Sequence, residues 1–210
     1  MDDGHGGADD SGQGTGGLRA EIAAVAAALI AEDGLEYGAA KRKAFERITG
    51  GRGSRLVKEL LPSNEQIVQA LREYQSLYQS DTQPRRLLAL RQKALALMHL
   101  LRDFHPMVVG AVANGTAGEH SDLHLHCTAD NAKALGIFLL NQNIPNEAAP
   151  YPNVRPGQPD VEAIALQWQG ELAIVAVYPE AEGRLCTNGK GHIERLGIAE
   201  LAQLIGERNA

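Results

Sequence analysis

The stretch Val108-Val109-Gly110-Ala111-Val112-Ala113-Asn114-Gly115-Thr116-Ala117-Gly118-Glu119-His120-Ser121-Asp122-Leu123-His124-Leu125-His126-Cys127 decides how this chain is read. It reads as a buried strand, a Gly-rich turn and a second strand. On an extended chain alternate side chains share a face. His120, Asp122, His124 and His126 then line one side, and Ser121, Leu123, Leu125 and Cys127 the other. Three of the seven histidines and a carboxylate meet on one surface beside a loop of small residues. No other segment concentrates ionisable groups in this way.

Downstream of that centre the pattern is mixed. The first strand is expected over 107–113 and the second over 122–128. Asp130 is the expected cap of a helix reaching Asn141. A Pro/Asn-rich loop is expected over 145–159. Val161–Trp168 and Leu172–Tyr178 read as strands joined at Gln169-Gly170, a hairpin signal. Residues 183–192 read as another turn, and Ile198–Gly206 as a closing helix. Upstream, the spacing is helical. Pro84 opens a helix that places Leu87, Leu90, Leu97, Met98 and Leu101 on one side and ends before His105-Pro106. Ser63 and Gln66 form a capping box ahead of a helix reaching about Ser80. Leu18–Ala31 and Tyr37–Ile48 are two more helices. Residues 1–17 hold seven Gly, four Asp and no large apolar side chain, which predicts a disordered tail. The expected organisation is therefore a tail over 1–17, a helical segment over 18–83 and an α+β domain over 84–210. The fold class is α+β, with a small mixed sheet carrying helices.

Composition narrows the classes of function. The 210 residues are 44% hydrophobic but only 4% aromatic, so Ala, Leu, Ile and Val must fill the core. A net charge of −6 argues against general coating of nucleic acid. The exception is 37–60, where Lys41, Arg42, Lys43, Arg47, Arg52, Arg55 and Lys58 face only Glu46 and Glu59. Segment 41–58 can track a phosphate backbone or dock a protein, although a solvated basic face is the plainer reading. Cys127 and Cys186 match no zinc spacing and read as free thiols, so a cytoplasmic location is the expectation. No apolar run approaches the roughly 20 residues of a membrane span.

The loop and second strand carry the chemistry. Gly115 allows close backbone approach, Thr116 adds a hydroxyl, and successive amides in such a turn can cradle an anion. His124 and His126 form an HxH pair, which with Asp122 or His120 can hold Zn²⁺. The plainer reading has each histidine merely hydrogen-bonded.

Together, Gly115-Thr116 and Ser121-Asp122-Leu123-His124-Leu125 resemble the signature of the DNA polymerase β-like nucleotidyltransferase superfamily, as an uncharacterised bacterial branch. That signature is a Gly-Ser or Gly-Gly turn, a spacer, and Asp-hydrophobic-Asp on the next strand. The resemblance implies that Gly115 and Thr116 hold the phosphates of a nucleoside triphosphate. It implies that Asp122 binds Mg²⁺ or Mn²⁺, with Glu162 as the third carboxylate. The reaction would move a nucleotidyl group to a hydroxyl acceptor by charge neutralisation and in-line positioning. Two departures stand out: Thr116 replaces Ser, and His124 replaces the second Asp. An imidazole brings no negative charge to a hard cation. The alternative is a catalytically degenerate member that binds nucleotide, RNA or a protein, or a His-rich metal-binding protein.

Overall fold

The computed structural model describes residues 10–50, 60–153, 157–179 and 194–207. The chain divides into two compact units, Met1–Gln83 and Pro84–Ala210. The expected turn over 183–192, with Cys186 and Lys190, lies outside the described residues, as do Arg52, Arg55 and Lys58.

The first unit is helical. Helix α1 spans Asp10–Asp33, α2 Tyr37–Thr49 and α3 Asn64–Tyr78. Residues 1–9 of the expected tail lie outside the description, but from Asp10 the chain is already helical. That stretch contains Gly12, Gly14, Gly16 and Gly17, so propensity opposes the extension and continuity with the Ala-rich part of α1 carries it. Ile22, Ala26, Leu29, Ala40, Ala44, Phe45, Leu60 and Ile67 form its core. Helix α2 stops at Gly50, whose φ of 63° lies in the left-handed region that favours glycine. The capping box at α3 is present on both sides: Gln66 N–H donates to Ser63 Oγ, and Ser63 N–H donates to Gln66 Oε1. Among the described residues no helix is long and apolar enough to cross a membrane.

The second unit is an α+β domain built on a six-stranded mixed sheet. Helix α4 (Gln83–Leu100) and a short 3₁₀ turn (Arg102–Phe104) lead into β1 (Met107–Val109). Then follow α5 (Gly110–Asn114), β2 (Leu123–Thr128), α6 (Ala132–Asn141), β3 (Asn146–Tyr151) and β4 (Val161–Trp168). Strands β5 (Glu171–Tyr178) and β6 (Arg195–Leu196) and helix α7 (Ile198–Glu207) complete it. The strand order is β3-β4-β5-β2-β1-β6, and among the described residues the parallel pairing is β2 with β5.

Three expectations need correction. The first strand ends at Val109, because Gly110 takes φ +66° and Val112 and Ala113 turn inward on one turn of helix. A run of Val, Gly and Ala satisfies either period, so the sequence could not separate them. The buried Arg91 of α4 closes that turn by donating from Nε to the Val112 carbonyl and from Nη2 to the Ala113 carbonyl. Part of the expected loop over 145–159 is the edge strand β3, where Pro150 is tolerated because an edge leaves N–H positions unused. Asn131, not Asp130, caps α6 by accepting from Ala134 N–H. Glu171 opens β5 and is tightly paired. Its side chain is 12% exposed and pairs with Arg86 at 2.7 Å and Lys93 at 2.6 Å. Those cations, Arg86 foremost, hold its carboxyl down at about 2.

The hairpin at Gln169-Gly170 is as expected, with both residues at positive φ between the Trp168 and Glu171 partners. The sheet has two unlike faces. Leu123, Leu125, Cys127, Ile164, Leu166, Val175 and Val177 pack against Leu87, Leu90 and Leu97 of α4, Leu135 and Leu139 of α6, and Leu201 of α7. The opposite face carries the small cluster Ala163, Ala176 and Tyr178, with Tyr151, Val161 and Ile174 packed against it.

Candidate functional site

Strand β2 projects Leu123, Leu125 and Cys127 into the helix-covered core, so His124 and His126 go to the other face. Burial pushes the Cys127 thiol up to about 12, which leaves it inert. His124 pairs in register with Ile174 of β5 and Val109 of β1, and His126 with Ala176 and Met107. The small side chains of Ala163 and Ala176 leave space that aromatic rings fill. Tyr151 reaches in from β3 until its ring lies 5.9 Å from both His124 and His126. Tyr178 stands 4.9 Å from His126 on the other side.

His126 is 4% exposed, and neither ring nitrogen has a hydrogen-bond partner. Burial drives its pKa down to about 3, with the charges of Arg195 and His124 adding to the shift. The imidazole is therefore neutral at physiological pH. Arg195 sits opposite Val109 on β6, in the register row that continues to His124. Paired residues point to the same side of a sheet. Two strand spacings put the Arg195 and His124 backbones about 10 Å apart on one face. Nε and Nη2 of Arg195 are buried and unpartnered.

The residues singled out from the sequence scatter. Asp122 lies just ahead of β2, half-buried, and among the described residues it has no hydrogen bond or ion pair. His120 is exposed in the preceding turn. Thr116 is 2% exposed, and its hydroxyl donates to Asn114 Oδ1 at 2.7 Å. The amides of Thr116 and Ala117 both donate to the Ala111 carbonyl, and Gly118 N–H donates to Ser121 Oγ. The amides of Thr116, Ala117 and Gly118 thus bond to chain neighbours within 111–121. Gly115 takes φ +85° as the C-cap of α5, with Arg91 against it. Glu162 belongs to the helix side of β4, between Val161 and Ala163, and accepts from Ala132 N–H at the start of α6. It does not share the histidine face. Among the described residues no three His, Cys, Asp or Glu side chains gather closely enough to hold a metal ion.

No family model, curated protein or solved structure matches the chain.

Two hollows lie away from the histidines. A groove of about 750 Å³ runs between α6 and β3–β4, lined by Ile137, Leu140, Ala148, Pro150 and Ile164. A smaller one of about 310 Å³ lies by Asp130, Asn131, Asp160 and Glu162. In the first unit, Lys41 donates to Asn64 Oδ1 and Lys43 pairs with Asp33, so two of the described basic side chains are engaged locally.

Arg195, Tyr151 and Tyr178 escaped the reading of the sequence. Tyr178 was reachable, since period-two spacing along β5 puts it with Ile174 and Ala176. Arg195 was not, because a two-residue strand has no periodicity to read. Tyr151 was hidden by its Pro-rich neighbours.

Proposed function

We propose that the second unit is a nucleotidyltransferase-like domain that binds a nucleotide or another phosphate-bearing ligand and does not transfer it. One observation carries this reading. The strand neighbours of His124 and His126 are Ile174 and Ala176 on β5 and Val109 and Met107 on β1, so among the described strand partners of these histidines there is no carboxylate. Two-metal phosphoryl chemistry needs oxygen ligands to hold the cations and neutralise the phosphates. Asp122 alone supplies too little charge for that.

The turn supports the same reading. In the resemblance, the Gly turn directly follows the first strand. On this fold that place belongs to Gly110-Ala111, since β1 ends at Val109. Gly110 keeps the positive φ, and Ala111 offers no hydroxyl to a phosphate.

The test is binding and turnover measured side by side. Calorimetry with each ribonucleoside triphosphate should give saturable heat. A labelled-nucleotide assay with Mg²⁺ or Mn²⁺ and a broad set of hydroxyl acceptors should release no pyrophosphate. Metal-dependent release that Asp122→Ala abolishes would restore the catalytic reading. Absence of any nucleotide binding by folded protein would remove both.

A further inference from the structure

We infer that the Arg195–His126–His124 face is a metal-free receptor for a phosphate oxyanion. The inference rests on the binding reading above and names how the ligand is held.

Three features converge. Arg195 brings a fixed positive charge, and its buried Nε and Nη2 lack partners. A guanidinium only donates, so an acceptor is what satisfies it. His126 is nearly fully buried with both ring nitrogens unpartnered. His124 is on the same face, in the register row of Arg195. Unpartnered buried polar groups are costly, and two of them in adjacent register rows of one face point to a ligand that accepts from them.

The chemistry of that ligand follows from the donors. The Arg fork alone satisfies the two oxygens of a carboxylate. The His126 imidazole N–H beside it serves a further oxygen, which a phosphate has and a carboxylate lacks. The same positive charge repels a divalent cation. Arg195 therefore supplies the charge neutralisation that a metal supplies in a transferase, and the histidines remain donors instead of ligands. Asp122, two residues ahead of His124, is the acidic group on β2's approach that works against an anion.

The experiment is calorimetry on the full chain in EDTA, with inorganic pyrophosphate and with each ribonucleoside triphosphate. Binding is expected without metal. Arg195→Gln should weaken it at least tenfold, Arg195→Lys should fall between, and Asp122→Asn should leave it unchanged or tighter. Thermal midpoints of the variants show whether each is folded, and Arg195→Lys serves if Arg195→Gln is not. Equal affinity for pyrophosphate and triphosphates identifies the phosphate group as the whole ligand, while tighter triphosphates add the nucleoside. Either result supports the site if Arg195→Gln weakens it. Binding that needs Mg²⁺ or Mn²⁺, falls in Asp122→Asn and ignores Arg195→Gln overturns this inference but keeps nucleotide binding. No binding under any condition overturns both.

Discussion

His126 on β2 and Ala176 on β5 are register partners across the parallel pairing of β2 with β5. The missing bulk at Ala176 and at its β4 partner Ala163 is taken up by Tyr151 and Tyr178, which close on the imidazole. The site is thus a ring cluster over a floor of alanines, with a cation at its rim. Its neighbour row, His124 with Ile174, is the natural place to ask whether metal chemistry can be installed.

Replacing both members of that row, His124→Asp with Ile174→Asp, should create a divalent-cation site. Directly paired side chains sit about 5 Å apart at Cβ, within reach of one ion. Mn²⁺ binding followed by calorimetry should be at least tenfold tighter than in the parent protein. A folded double variant with no gain would mean that this row cannot converge on a cation, and that Arg195 or the strand geometry forbids it.

The sheet was legible because β4 and β5 announce themselves: apolar alternation on both sides of Gln169-Gly170 admits little besides a hairpin. The histidine face was legible for the same reason, since period two is a backbone property that β2 obeys. What failed was local. Gly110 ended a strand that Val and Ala alone would have continued, and Pro150 disguised an edge strand as a loop. A place on the strand after the Pro-rich loop points to Glu162, but strand membership does not choose a face. Alternation with Ala163 along β4 and the hydrogen bond from Ala132 N–H put it on the other side. Arg195 depends on long-range pairing with Val109, about which its own neighbours say nothing.

Glu171 gives the clearest pH prediction. Arg86 and Lys93 hold its folded pKa at about 2, against an ordinary value of 4.5. A depressed carboxylate pKa means that the unfolded chain binds the proton more readily. Its contribution is complete above about 4.5 and is lost as pH falls toward 2. Glu171→Gln should cost about 2 kcal/mol at pH 7 by removing charged hydrogen bonds. The difference from the parent protein should shrink steadily between pH 4.5 and 2. Urea denaturation across that range checks it, and a constant difference would contradict the pairing.

Asn131 and Asp130 can be separated by their caps. Asn131 accepts from Ala134 N–H at 3.0 Å, and Asp130 is exposed without that bond. Asn131→Ala should cost about 1 kcal/mol and Asp130→Ala only a few tenths. Denaturation midpoints compared at equal slope decide it, and the reverse ranking would return the cap to Asp130.

His126→Leu separates a ligand site from a structural histidine. A purely structural His126 would use its ring nitrogens in the folded chain, and both are without partners at 4% exposure. Burying such a group costs about 1–3 kcal/mol, while an apolar side chain of similar volume among Tyr151, Tyr178 and Ala176 removes that cost. The variant should therefore be more stable than the parent protein at pH 7, by a kilocalorie or more on this scale. It should also bind pyrophosphate more weakly in EDTA, because it loses one donor to the anion. Added pyrophosphate should then raise the melting temperature of the parent protein more than that of the variant, since only a ligand of the folded state stabilises it. A variant that is less stable and binds as before would show that His126 works for the fold alone.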